Sequence, residues 1–396
     1  MCQVKRIGVG VIGFGWMGQV HARAWSRLIH HYPELPGLPA RLVHVSDSAP
    51  GRAASGAQQY GFERFSEDWL NLISDPDVDV VSVTTPNFLH REMGIAVAEA
   101  GKHLWIEKPV GISSAETNDV VAAVAKSGVM SAVGFNYRVA PAVVKAKLLL
   151  DEGAIGRVTT VSSNWASDYS AHPLGALSWR FTREYAGAGV LLDLMSHEID
   201  LLQYLVGEVE SVIGQSNTFI HERPKASNGS SHYSLGDSAS MGTVENDDWA
   251  SALLGFRNGA RGLIEASRAS VGDQNNYGFV LHGTKGFIQW NFRRMGELIV
   301  SSGNDYENQS TKTIFVGLDD GDYGNFQPGA GISMGYDDLK VIEASNLLKS
   351  ISSGVQQGSS VQDALAVAGV LDAIERSIQS QSWEPVSVVR AGTLTG

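Results

Sequence analysis

The chain has 396 residues, 44 of them glycine and one, Cys2, cysteine. Apolar residues make up 43%, which excludes a disordered chain, and at about 150 residues per domain the length suggests two or three domains. Lys and Arg number 30 against 42 Asp and Glu, a net charge of -12; such a field repels phosphate backbones and anionic lipid, so no nucleic acid and no membrane is expected as a partner.

The acidic excess is uneven. Residues 1–137 carry 11 basic and 13 acidic groups, the remainder 19 and 29. One cysteine makes no internal disulfide, which fits a reducing, cytoplasmic setting. Lys5-Arg6, the apolar run after them and Ala22-Arg23-Ala24 caricature a secretory signal. The spacing of the glycines in that run favours a buried strand entering a turn instead.

Residues 6–12, 41–46, 78–84, 103–106 and 130–135 read as strands. Between them, 17–30, 50–60, 89–100 and 114–126 have helical spacing. Strands alternating with helices predict a parallel sheet covered on both faces, with ligands beyond the carboxyl ends of its strands. From residue 138 the pattern changes. Helices are expected at 140–152 and 190–206. Strands are expected at 158–165, 209–220, 249–256, 262–269, 277–282, 286–292, 298–301 and 313–316. Two helices close the chain at 337–352 and 361–380. This is an α+β domain with a large, mostly antiparallel sheet, so the division predicted is 1–137 and 138–396. The C-terminal helix is a candidate to pack back on the first domain. Residues 227–243, rich in Ser and Gly, and 319–335 read as long loops.

Gly13-Phe14-Gly15-Trp16-Met17-Gly18 follows the first strand and opens the first helix. The first glycine permits the tight turn, the second admits a pyrophosphate to the backbone, and the third lets helix and strand pack closely. The helix N-terminus supplies free N–H groups to phosphate. Asp47 ends the second strand, where a carboxylate accepts ribose hydroxyls and repels a 2′-phosphate. NAD is therefore expected, with Ser48 and Arg52 leaving NADP possible. Asp47 stands further from the glycines than usual, and the proline-bearing segment 30–39 accounts for the extra length. The competing role for Asp47 is as a cap on the next helix.

Glu107-Lys108-Pro109 lies at the end of the fourth strand, where an ammonium holds a hydroxyl and stabilises alkoxide character. Asp193, His197 and Asp200 share one face of the expected helix 190–206, an apolar segment otherwise. Asp193 there either tunes the His197 imidazole or forms a satisfied buried pair with it. A metal is not expected, since no third ligand is near. The segment 165–181 holds Trp165, Asp168, Tyr169, His172, Trp179 and Arg180, aromatic faces and hydrogen-bonding groups that suit a pyranose ring.

Together these residues resemble the Gfo/Idh/MocA family of NAD(P)-dependent oxidoreductases over nearly the whole chain. The markers are Gly13–Gly18, Thr85-Pro86-Asn87 with His90, residues 100–109, Gly134-Phe135-Asn136-Tyr137-Arg138 with Pro141, and Ala188-Gly189 leading into Asp193 and His197. Ser178-Trp179-Arg180-Phe181, residues 204–208, Asn275-Asn276-Tyr277 and His282-Gly283-Thr284 look most like the inositol and levoglucosan dehydrogenase branch. The resemblance implies a Rossmann domain and an open-sheet domain that forms a homodimer or homotetramer. It implies hydride transfer between nicotinamide and a carbon of a sugar, anhydrosugar or cyclitol. Lys108, Asp193 and His197 would be catalytic, with His197 the proton acceptor. Substrate would meet these three with Trp165 and Arg180. Cofactor would meet the residues of the glycine turn, Asp47, Thr85, Pro86, Asn87, His90, Glu107, Lys108 and Asn136. Two other functions share these features: an NAD-dependent glycoside hydrolase using transient oxidation, and a non-enzymatic NAD-responsive regulator.

Overall fold

In the computed structural model, which describes residues 6–225, 234–236 and 240–387, the first five predicted strands all form. They are β1 (Gly8–Ile12), β2 (Arg41–Ser46), β4 (Val80–Val83), β5 (His103–Ile106) and β6 (Ser131–Val133). A short β3 (Arg64–Ser66) joins them. Its three residues are too few and too exposed to show a periodic pattern in sequence. The order is β3-β2-β1-β4-β5-β6, all parallel. β1 and β4 are buried at every position, as expected of central strands covered on both faces. The order reverses between β1 and β4, the point where such sheets bind ligands.

The helices of this sheet are α1 (Trp16–His31), α2 (Arg52–Tyr60), α3 (Trp69–Ile73), α4 (His90–Glu99) and α5 (Ser114–Ser127). Ser113 caps α5 by accepting from Glu116 N, and Gly128 ends it in a left-handed conformation.

The described chain divides into two compact units. The first ends at Val139 and also includes Gly335–Leu365; the second holds Ala140–Met334 and the described chain from Ala366. The expected division at 137 lies two residues from this one, but 138–396 is not a single continuous domain. The late segment belongs to the first unit because its helix, Tyr336–Ser353, docks on α1 through charge pairs. Arg23 Nε lies 2.6 Å from Asp337 and Arg27 Nη2 2.5 Å from Asp338.

The second unit contains α6 (Pro141–Asp151), β7 (Val158–Ala166), α7 (Arg183–Ala186), α8 (Val190–Asp193) and α9 (Met195–Val206). Then come β8 (Val209–Asn217), β9 (Glu222–Pro224), β10 (Met241–Thr243), β11 (Trp249–Phe256), β12 (Arg261–Ser267), β13 (Asn276–Gly283), β14 (Gly286–Asn291), β15 (Glu297–Ser302) and β16 (Thr311–Phe315). The remaining elements are α10 (Tyr336–Ser353, in the first unit), α11 (Val361–Ser380) and β17 (Glu384–Pro385). Nine strands form one sheet, β16-β15-β14-β13-β7-β12-β11-β8-β17, antiparallel except where β12 meets β7. Alternation along it is clear. Val161, Ser163 and Trp165 are buried while Thr160, Ser162 and Asn164 are exposed, so one face is covered and the other open.

Three expectations change here. The helix 190–206 is two helices, broken at Leu194 (φ −100°, ψ −48°), where His197 N bonds to Leu194 O three residues back. The strand 209–220 stops at Asn217, and β9 with β10 forms a separate antiparallel pair that the sequence did not show. Much of the expected loop 227–243 lies outside the described residues. The expected loop 319–335 holds one short turn, Tyr323–Asn325. The buried Tyr323 hydroxyl donates toward Gly329 O and accepts from Ile332 N.

Candidate active site

The glycine-rich turn sits between β1 and α1. Gly13 has φ +83°, and a side chain there would meet Thr85 and the Thr84 carbonyl at 2.8 and 3.0 Å. A Cβ on Gly18 would stand 2.2 Å from Gly13 O. Gly15 differs: a Cβ there would meet nothing within 4 Å. The first and third glycines are thus demanded by the protein's own packing, and the second faces space that suits a ligand. Gly15 is also the N-cap of α1 and offers no side-chain cap, so N–H groups at the head of α1 are left for phosphate.

Phe14 does something else. Its N–H donates to Asp47 Oδ2 at 2.7 Å, and its ring packs edge-on against Tyr60 and Phe62. Phe14 is therefore a fastener between turn and sheet rather than a phosphate donor. Asp47 Oδ1 accepts Ala49 N at 2.8 Å, and Arg52 lies 3.4 Å from both oxygens. Asp47 serves the turn as well as facing the position expected for a ribose. Trp16 and Met17 head α1. Trp16, 61% exposed, stacks on Tyr336 with ring centroids 5.4 Å apart.

Thr85, Pro86 and Asn87 follow β4 at its carboxyl end. His90, expected beside the cofactor, is fully buried, and its two ring nitrogens lie 2.7 Å from Pro109 O and Thr85 O. It ties the turn after β4 to the turn after β5 and presents no edge to a ligand. Burial lowers its pKa, while the two carbonyls and Glu107 oppose the shift.

Glu107 is likewise engaged inside the unit. Its Oε1 accepts from Lys340 Nζ at 2.6 Å and lies 2.9 Å from His21 Nε2. Burial raises the carboxyl pKa, but Lys340 and His21 outweigh it and hold the group far below the ordinary range. Burial lowers the Lys340 pKa, and Glu107 with Glu343 more than reverses that. His21 stacks on Trp105 at 3.6 Å, and burial pulls its pKa down to about 4. The role beside the nicotinamide ribose expected of Glu107 thus becomes one of fixing the turn that carries Lys108. Lys108 follows it at the carboxyl edge of β5, joined to Pro109 by a cis peptide.

Asn136 is fully buried, and neither its Oδ1 nor its Nδ2 has a hydrogen-bond partner among the described residues. A buried amide left so is costly, and it fits a residue that completes its bonds on a ligand. The open space at Gly15, the uncapped head of α1 and the Asn136 amide make the first unit fit a dinucleotide.

In the second unit, Asp193 closes α8 and His197 lies in the first turn of α9. The break at Leu194 removes the single helical face expected to align them. Asp193 Oδ2 accepts from the Tyr169 hydroxyl at 2.7 Å, and Arg180 Nη1 lies 3.7 Å from Oδ1. Arg180 stacks over Trp179 at 4.6 Å. His197 is buried, its carbonyl accepts from the Tyr277 hydroxyl at 3.2 Å, and its ring is 5.4 Å from that of Trp165. Trp165, expected as an open sugar platform, is only 5% exposed because it stacks on Tyr277 at 4.4 Å. It serves as a wall behind His197.

Beneath this site lies a clamp absent from the expectations. The Arg223 and Arg268 guanidinium groups both lie over the Phe181 ring, at 4.4 and 4.7 Å. Arg223 donates to the Ser170 and His172 carbonyls, and Arg268 pairs with buried Asp248 at 2.8 Å. The clamp holds the segment bearing Tyr169 and Arg180. Sequence offers no signal for it, since Arg223 stands between Glu222 and Pro224 and Arg268 between Ser267 and Ala269. Lys340, a charge between apolar Leu339 and Val341, does carry a faint one.

Among the described residues, no cluster of three or more His, Cys, Asp or Glu could hold a metal, and no helix is long and apolar enough to cross a membrane.

Residues 7–135 match the model of an oxidoreductase family with an NAD-binding Rossmann fold, and residues 143–289 the GFO/IDH/MocA C-terminal domain. The chain is 37% identical over 391 residues to levoglucosan dehydrogenase of Pseudarthrobacter phenanthrenivorans, covering 98% of this chain and all of the relative. It is 31% identical over 266 residues to the NAD(+)-dependent scyllo-inositol 2-dehydrogenase of Bacillus subtilis, 67% of this chain and 68% of that one. The solved structure of levoglucosan dehydrogenase with NADH and L-sorbose superposes with a TM-score of 0.90 at 36% identity, over 97% of this chain and 100% of that one. The chain is an NAD-binding oxidoreductase and belongs to the Gfo/Idh/MocA family.

Proposed function

We propose that the protein is an NAD-dependent dehydrogenase that oxidises a secondary hydroxyl of a sugar, anhydrosugar or cyclitol, with levoglucosan the first substrate to test. The observation that carries this reading is the likeness, over the full length of both chains, to levoglucosan dehydrogenase. Bound NAD supplies the hydride acceptor at C4 of its nicotinamide. The head of α1 and the backbone at Gly15 hold the pyrophosphate, Asp47 the adenosine ribose, and the Thr85–Asn87 turn and Asn136 the nicotinamide half.

His197 takes the hydroxyl proton onto its imidazole as the carbon is oxidised. The walls around it, Trp165 and Tyr277, exclude water and fix its place. Lys108 presents an ammonium at the carboxyl edge of β5, a group that stabilises alkoxide character on a hydroxyl it meets. Asp193 and Arg180 bind neighbouring hydroxyls, an acceptor and a donor side by side.

The open face of the nine-stranded sheet, with Leu253 and Leu263 each nearly half exposed, is the surface through which a homodimer or homotetramer forms. A chain with one cysteine, needing no disulfide, works in the cytoplasm.

The test is an NAD-reduction screen at 340 nm over levoglucosan, inositols, aldoses and glycosides, repeated with NADP. NADH formation with an anhydrosugar or cyclitol is expected, and Lys108→Ala and His197→Ala should each lower kcat/KM by about a thousandfold. Glycoside cleavage without net NADH would replace this reading with a hydrolase. A His197→Ala enzyme of full kcat/KM would remove the proposed base.

A further inference from the structure

The helix α8 is four residues long, and its N-cap, Gly189, brings no side chain to the N–H groups at its head. Three of those groups are taken by one distant residue, Asp247. Gly189 N donates to Asp247 Oδ1 at 2.8 Å and Leu191 N to Asp247 Oδ2 at 2.9 Å, both bonds buried. Val190 N donates to the Asp247 carbonyl at 3.1 Å. A Cβ on Gly189 would stand 2.0 Å from that carbonyl oxygen, so this close approach needs the glycine. Asp247 is itself held on both sides. Asn246 donates to Arg180 O and accepts from Arg268, each at 2.9 Å. Buried Asp248 pairs with Arg268 at 2.8 Å and accepts from Phe219 N and Ile220 N at 2.9 Å. The turn anchored in this way leads straight to the proposed base. Asp193 N bonds to Gly189 O at 3.0 Å, Leu194 N to Val190 O at 2.9 Å, and His197 N to Leu194 O at 3.0 Å.

We infer that Asp247 is a positioning residue for the reaction: it caps α8 from outside and, through that turn, sets the place of His197. This rests on the assignment of His197 as the base made above. A helix of one turn has no length with which to hold itself, so its head must be held by another part of the chain. Without the carboxylate two buried N–H groups lose their acceptor, and the head of α8 relaxes to find others. The imidazole then moves relative to the hydroxyl whose proton it takes. A displacement of about 1 Å at a reacting group costs about 100-fold in rate.

A double-mutant cycle of Asp247→Ala and His197→Ala tests it, with levoglucosan and myo-inositol as probe substrates. Asp247→Ala alone should lower kcat about 10- to 100-fold. NADH affinity should stay within about twofold, since Asp247 and α8 lie in the second unit and the glycine-rich turn in the first. In the His197→Ala background the same change should cost less than about threefold, because the group it acts through is gone. An equal loss in both backgrounds, or none in the parent, overturns the inference. A His197→Ala enzyme of full kcat/KM fails differently: it removes the base, and the inference with it. Thermal unfolding shows whether each variant folds, and rates are compared at a temperature where all are folded, so lost stability alone does not lower kcat. Asp247→Asn keeps one acceptor in place of two and should lower kcat only about 3- to 10-fold. If Asp247→Ala does not fold, an Asp247→Asn variant with parental kcat, or with the same loss in the His197→Ala background, overturns the inference.

Discussion

Two carboxylates stand beside proposed catalytic groups, and the protein treats them in opposite ways. Glu107, next to Lys108, is 7% exposed and shares a closed set of charges with Lys340, His21 and Glu343. Asp193, four residues before His197, is a quarter exposed, accepts from the Tyr169 hydroxyl and lies beside Arg180. A buried set of charges paired with one another acts as a brace. A carboxylate that keeps a quarter of its exposure is one that a hydroxyl can reach. Proximity to a catalytic residue therefore does not decide the role of an acid here; its burial does.

Breaking the closed set should have the largest effect. Lys340→Met leaves Glu107 and Glu343 buried without their cation. A stability loss of about 3–5 kcal/mol is expected in denaturant unfolding. A loss under about 1 kcal/mol would show that the brace contributes little.

The same set sets the response to acid. His21 has its pKa lowered by burial from 6.5 to about 4. Below pH 6.5 the unfolded chain takes up a proton at this position that the folded chain refuses until about pH 4. Stability is thus fully present above 6.5 and falls as pH drops toward 4, by up to about 3 kcal/mol. Glu107, its pKa also depressed, acts in the same direction at lower pH. His21→Gln keeps a donor for Glu107 and removes one titration, so the unfolding midpoint should depend less on pH between 6.5 and 4, with buried His90 keeping a share. An unchanged slope would place the acid sensitivity elsewhere.

Asp193→Asn sharpens the contrast from the other side. It should lower kcat/KM about 100-fold while moving stability by less than about 1 kcal/mol, because the site is open to water and Tyr169 can still donate to the amide oxygen. A stability loss near that of Lys340→Met would make Asp193 a second brace and erase the difference.

The two halves of the chemistry were unequally legible in the sequence. The cofactor half is local. Gly13, Gly15 and Gly18 lie within one turn, their spacing follows from the geometry of strand, phosphate and helix, and β1, β2, β4 and β5 were visible as apolar runs. The substrate half is assembled from distant pieces. Asp193 meets Tyr169, 24 residues earlier, and the segment between rests on arginines 223 and 268. No periodicity encodes such meetings. His90 and Glu107 were found by motif, yet motif did not show their partners Pro109, Thr85, Lys340 and His21, since a pattern marks a residue and not the direction its side chain takes. The helix 190–206 misled for a related reason. Its apolar periodicity runs through Leu194, and only the backbone records the break there.

The smallest expected effect concerns the edge of the cofactor half. Trp16 stacks on Tyr336, with an interplanar angle of 26°, at the head of the helix whose N–H groups face phosphate. If the stack merely docks α10, Tyr336→Ala should cost stability and leave the affinity of the folded protein for NADH unchanged. Docking has other supports, however. The pairs Arg23–Asp337 and Arg27–Asp338 lie on the same two helices and persist without the ring. The stack is therefore expected to act on the orientation of Trp16 and Met17, and so on the phosphate cradle. An aromatic pair contributes about 0.5–1.5 kcal/mol, so Tyr336→Ala should weaken NADH binding by about 2- to 10-fold in a fluorescence titration. The unfolding midpoint should shift far less than for Lys340→Met, which stands one turn further along the same helix. An unmoved NADH affinity with a large loss of stability would make Tyr336, like Lys340, part of the brace.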